Sequence, residues 1–284
     1  GRETRSDPDT EDARPMTVTV RALSEIHEPL AREWLEERIA RPETLGVLLC
    51  GSRATGWSAP DGDYDALVFV TSEAYRSIPA EETLVYLHAP GETPRRVVGD
   101  FSIFSDEHLE LHRASPLDID HWAYLDAVVL FDRRGDLEER RRRIAAFPEE
   151  EWKERALQKY LQILVAFSYA TKSDVAGREA ERQLNLFRGV LAGIQLWFTL
   201  RRRWSPPLKW WTREIERLEM RPDTRAVLEG ALLNPSLEVL THLRDHMKLE
   251  MRHAGIAEVD AILPAFAASF APERQPAIYR SLYL

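Results

Sequence analysis

The chemistry-bearing pattern of this chain lies between two short apolar runs: Gly51-Ser52-Arg53-Ala54-Thr55-Gly56-Trp57-Ser58-Ala59-Pro60-Asp61-Gly62-Asp63-Tyr64-Asp65. A glycine at a strand end lets the backbone approach a ligand closely. The serine after it adds a hydroxyl and an N–H, and the pair can grip a terminal phosphate. Asp63-Tyr64-Asp65 then opens the second apolar run, where a period of two places both carboxylates on one face of a sheet and Tyr64 on the other. Neighbouring carboxylates repel one another unless a cation lies between them. Magnesium suits them, because it prefers oxygen ligands and is commonly shared between one or two carboxylates and substrate phosphates. Two such ions about 4 Å apart can activate an attacking oxygen and stabilise a departing pyrophosphate.

That chemistry calls for a third carboxylate. In Val97-Val98-Gly99-Asp100-Phe101-Ser102-Ile103-Phe104 a single acidic residue interrupts an apolar strand, with Phe101 and Ile103 directed away from its face. An unpaired carboxylate there is costly, so Asp100 must meet either a metal or a basic partner. Asp100 is therefore the expected third ligand or general base. Asp106, just past the strand, is the reserve, with helix capping as its structural alternative. Arg53 can touch phosphate or pair with an aspartate. The segment Asp61 to Asp65 also reads as the start of a calcium loop, but position six is Ala66 where such a loop needs Gly, and position twelve is Ser72 where it needs Glu. An ordinary acidic turn is the remaining structural reading.

The elements that must hold these residues can be read from periodicity. Ile26, Leu30, Trp34, Leu35 and Ile39 recur at helical spacing from Leu23 to Ile39, with Pro42 as a stop. Leu45 to Cys50 and Ala66 to Val70 read as strands buried on both faces. Thr83 to His88, Arg96 to Phe104 and Ala127 to Phe131 read as three more, with a turn at Pro90 to Pro94. After Pro148 helical periodicity takes over, from Leu157 to Tyr169, Leu184 to Phe198, Leu208 to Leu218, Thr224 to Leu233 and Leu237 to His253. The expectation is an α+β chain, with a mixed-sheet domain over residues 16–148 and an all-helical bundle over 149–284. The chain opens on Gly1, as after a cloning scar, and residues 1–15 read as a polar tail outside the fold.

Composition limits the partners. With 284 residues, 44% of them hydrophobic, the chain can fill a core, and its net charge of -9 repels a long polyanion. A small neutral or cationic acceptor suits that field better than nucleic acid. No apolar stretch reaches the ~18 residues needed to span a bilayer, and no apolar signal core is present, so the expectation is no membrane and a cytoplasmic location. The single cysteine, Cys50, excludes an internal disulfide and reads as an inert core thiol.

Gly51-Ser52, a ten-residue gap, Asp63-x-Asp65 and the later strand carboxylate Asp100 resemble the DNA polymerase beta-like nucleotidyltransferase superfamily. The sheet domain followed by a helical domain resembles its stand-alone bacterial members, related to aminoglycoside and lincosamide nucleotidyltransferases. The motif match covers about residues 45 to 105. The resemblance implies transfer of a nucleoside monophosphate, usually adenylate from ATP, to an acceptor hydroxyl or phosphate with release of pyrophosphate. It implies that Ser52 binds the triphosphate, that Asp63 and Asp65 hold magnesium, and that Asp100 is ligand or base. Gly62 stands where such members commonly carry Ser. The acceptor can be a metabolite or drug, or a polypeptide as in toxin-antitoxin modifiers. A regulatory nucleotide-binding scaffold is a third possibility, which an intact carboxylate set argues against.

In the helical half, Lys209 follows Pro206-Pro207 at a helix start, a position that disfavours cations, and is assigned a nucleotide phosphate contact against the plain alternative of a solvated lysine. Trp210 and Trp211 read as core aromatics ahead of stacking on a base or sugar, and Arg182 and Arg188 as structural ion-pair partners ahead of phosphate contacts. Arg140 to Arg143 and Arg201 to Arg203 read as solvated helix ends. His242 and His246 lack the Glu of a zinc-protease helix, so zinc is not expected.

Overall fold

A computed structural model describes residues 23–59, 61–91 and 94–263; the tail read over residues 1–15 lies outside them. The fold is α+β. In chain order, helix α1 (Pro29–Ala40) precedes strand β1 (Thr44–Cys50), the short helix α2 (Gly51–Thr55), β2 (Tyr64–Val70), α3 (Ser72–Ser77), β3 (Leu84–His88) and β4 (Val97–Ser105). Then come α4 (His108–Arg113), α5 (Asp118–Leu125), β5 (Val128–Asp132) and α6 (Leu137–Ala145). The long helices α7 (Trp152–Val175) and α8 (Glu179–Leu200) are followed by α9 (Trp211–Arg217), α10 (Pro222–Leu233) and α11 (Leu237–His253). All five strands stand where alternation and apolar runs place them.

The strands form one mixed sheet in the order β3-β4-β2-β1-β5. β2 and β4 run parallel, whereas β1 pairs antiparallel with β2 and β5, and β3 pairs antiparallel with β4. One face is filled by Val47, Leu49, Tyr64, Ala66, Val68, Phe101 and Ile103 against Ile26, Ala31 and Leu35. Trp34 of α1 stacks on Phe101 with ring centroids 4.6 Å apart. Phe101 is fully buried, so Phe101→Ala is expected to cost about 3–5 kcal/mol, read as a lowered denaturation midpoint. Its neighbour Asp100 faces the other way, and Asp100→Asn is not expected to share that loss.

Two helices read from periodicity are broken by local chemistry. The stretch from Leu23 to Ile39 is a 3-10 turn, Leu23–Glu25, and then α1, because the residue before a proline is driven from helical geometry and Glu28 is extended at φ −79, ψ 113. The stretch from Leu208 to Leu218 is likewise a 3-10 turn, Leu208–Trp210, followed by α9.

By internal contacts the described chain forms two units. One holds the residues up to Glu107 with Asp126–Glu138, and the other holds His108–Leu125 with the residues from Glu139 onward. Residues 108–125 thus pack with the helices, although they precede the boundary drawn at 148. His121 shows why: its ring stacks on Trp204 at 3.8 Å, and its two nitrogens lie 2.7 Å from the Ile144 carbonyl and 2.8 Å from that of Ser115. The helical core gathers Ile163, Leu186, Trp197, Phe198, Leu240, Leu243 and Met247. α11 can approach α8 because Gly189 and Gly193 face Leu240 and Leu243, where a Cβ would sit 2.8 and 2.9 Å from leucine methyls. Among the described residues no helix is long and apolar enough to cross a membrane.

Candidate functional site

The site is built where β1 ends and β2 begins. Asp65 of β2 is the register partner of Asp100 of β4 on one side and of Cys50 of β1 on the other. Residues paired across strands project to the same face, so both carboxylates lie on the face opposite Tyr64 and Phe101. The pairing of β2 with β4 brings together residues 35 positions apart in sequence. Asp63 lies just before the strand begins at Tyr64 and is part-buried, as Asp65 and Asp100 are.

Gly51 is shaped by this carboxylate. Its φ is +63°, and a Cβ placed on it would fall 1.9 Å from Asp65 Oδ2. Only glycine both adopts that backbone at low cost and leaves room for the carboxyl group. Ser52 follows in α2 and is buried, 7% exposed. Its carbonyl collects the N–H groups of Trp57 and Ser58 and the Thr55 hydroxyl, at 2.9, 3.1 and 3.1 Å, which fastens the following loop onto it. Arg53 donates to the Gly62 carbonyl at 2.6 Å and lies 4.5 Å over the Tyr64 ring. The guanidinium thus ties α2 to the segment that delivers Asp63 and Asp65. A Cβ at Gly62 would meet Ser58 Oγ at 2.4 Å, so the serine side chain would have to swing aside to admit one.

Asp106 receives Arg134 at 2.7 Å, an ion pair on the sheet unit. Lys209 belongs to the helical unit, where it is exposed with its ammonium 5.4 Å from the Trp210 ring centre. Arg182 pairs with Glu179 at 2.7 Å, the structural use expected of it. A cavity of about 320 Å³, lined by Ile26, His27, Leu49, Arg53, Ser58 and Tyr64, opens on the Tyr64 side of the sheet and not on the carboxylate side.

Among the described residues no three His, Cys, Asp or Glu side chains are arranged to hold a metal ion. What the fold does bring together is the adjacent pair Asp65 and Asp100, beside a backbone cleared of any side chain at Gly51. Hard oxygen donors in that number suit magnesium, which takes one or two carboxylates and completes its shell with water and phosphate oxygens.

Against this geometry, a family profile described as a domain of unknown function (DUF4037) matches residues 122–211. That stretch contains Lys209 and none of the other residues named for the site. No curated protein matches the chain. Among solved structures, that of a nucleotidyltransferase-like protein from Exiguobacterium sibiricum 255-15 is 16% identical, with a TM-score of 0.43, over 79% of this chain and 76% of that one.

Cys50 probes the field of the site. Burial pushes its thiol well above the ordinary range, and the charges of Asp65 and then Asp100 push it further in the same direction. A raised thiol holds little thiolate at pH 8, so native Cys50 is expected to react with iodoacetamide about 100-fold more slowly than in denaturant. Equal rates by mass spectrometry would contradict the buried placement. Tyr86 of β3 was not visible as a site residue in the sequence. Alternation put it on one face of its strand, but only pairing showed that its partner is Asp100.

Proposed function

We propose that this chain is a magnesium-dependent nucleotidyltransferase, working in the cytoplasm, that moves adenylate from ATP to a hydroxyl or phosphate of a small acceptor. The observation that carries this reading is the register pair Asp65 and Asp100, set one strand from the Gly51-Ser52 turn, with Gly51 pressed against Asp65. In this reading Ser52, with the backbone at Gly51 and with Arg53 holding the loop, receives the triphosphate. The pair Asp65 and Asp100 would hold magnesium, and Asp63, which the fold does not group with them, would complete the set for two ions; when bound, these would neutralise phosphate charge and lower the barrier to displacement. The acceptor oxygen attacks the α-phosphorus; where it is a hydroxyl its proton passes to the Asp100 carboxylate, and where it is a phosphate oxygen it attacks as the anion. The bond from that phosphorus to the oxygen bridging toward the β-phosphate breaks, and pyrophosphate departs with the electron pair.

The test is incubation with each nucleoside triphosphate, magnesium and a panel holding kanamycin, lincomycin and glucose 1-phosphate, followed by pyrophosphate release and by mass. A mass gain of one nucleotide on an acceptor is the expected product. Nucleotide binding with no pyrophosphate from any pair would overturn the transferase reading.

A further inference from the structure

The row of residues that crosses the sheet at the carboxylates has four members: Tyr86 of β3, Asp100 of β4, Asp65 of β2 and Cys50 of β1. Its two ends differ. Cys50 is buried at 6% exposure and runs directly into Gly51-Ser52. Tyr86 lies on the edge strand and is 54% exposed, with Leu84 two residues before it at 53%. The alternation of β3 confirms the facing: Val85 and Leu87 pack into the core on the Phe101 side, which leaves Leu84, Tyr86 and His88 on the side of Asp100. Paired residues on neighbouring strands have Cα atoms roughly 5 Å apart, so the Tyr86 ring rises beside the Asp100 carboxylate.

We infer that Tyr86, backed by Leu84, is a positioning residue that seats the acceptor beside Asp100, and that the acceptor enters over β3 while the triphosphate enters from the β1 end. The inference rests on the proposed transferase reading and adds a direction to it. In-line displacement needs the attacking and leaving oxygens on opposite sides of phosphorus. The row supplies this order: phosphate-gripping turn, Asp65, Asp100, then an open aromatic. An exposed phenol ring offers an apolar face for stacking and a hydroxyl at its rim, so the acceptor it fits carries an apolar ring face next to the reacting hydroxyl.

The experiment compares wild type with Tyr86→Ala and Tyr86→Trp. Initial rates are taken at varied ATP and at varied concentrations of whichever of kanamycin, lincomycin or glucose 1-phosphate is labelled. Tyr86→Ala is expected to raise KM for that acceptor about 10-fold while KM for ATP stays within about twofold, and Tyr86→Trp to restore most of the loss. An unchanged acceptor KM in Tyr86→Ala, or equal rises for acceptor and ATP, overturns the inference and leaves the transferase reading standing. Should wild type label none of the three, calorimetry of each with magnesium and α,β-methylene-ATP present decides the matter. Binding lost in Tyr86→Ala supports the acceptor seat even as the transfer reading fails, and binding unchanged, or absent in wild type, overturns it.

Discussion

Asp65→Asn is expected to lower pyrophosphate release about 10³-fold or more, a barrier increase of ~4 kcal/mol, while the fold survives. Asparagine has nearly the shape of aspartate, so the strand can keep its pairing, but it removes the charge that a bound divalent cation would meet. The same substitution also takes away a like charge directly across from Asp100, and such pairs weaken a sheet. Thermal unfolding should therefore show a midpoint no lower than wild type by more than ~2 °C. That combination, lost turnover with stability kept, separates a ligand-binding carboxylate from a structural one. If Asp65→Asn turns over at the wild-type rate, the assignment of the carboxylate pair is wrong.

Gly51→Ala is the second large effect, and it reaches the same carboxylate from the opposite direction. The backbone at φ +63° costs an L side chain ~1–2 kcal/mol. Beyond that, the new methyl would stand 1.9 Å from Asp65 Oδ2, so the carboxyl group or the turn has to move. Displacement of a reacting group by about 1 Å can cost ~10²-fold in rate, and Gly51→Ala is expected to lose at least that much turnover. Gly56→Ala is the matched control, because Gly56 has φ +75° and nothing within 4 Å of its would-be Cβ. Both variants should unfold a few degrees early, but only Gly51→Ala should lose turnover. Equal turnover in the two would show that the closeness of Gly51 to Asp65 has no bearing on the chemistry.

Local backbone geometry determined much of what the sequence made legible. The period of two in Asp63-Tyr64-Asp65 and in Val97 to Phe104 decides which side chains share a face, because successive Cβ atoms on a strand point to opposite sides whatever the partner strand is. The same holds for proline, although its effect before Pro29 was stronger than apolar spacing suggested. Tertiary structure alone decided the rest. Asp100 stands opposite Asp65 because β4 pairs in parallel with β2, skipping β3, and Tyr86 stands beside Asp100 because β3 returns along the outer edge. It likewise set Gly51 against Asp65 and packed residues 108–125 with the helices. Periodicity is a property of a few consecutive dihedrals, whereas register across strands is selected by burial of whole faces and by loop closure between distant segments. For this protein the identities and facings of the carboxylates belong to the sequence, and their meeting in one row belongs to the fold.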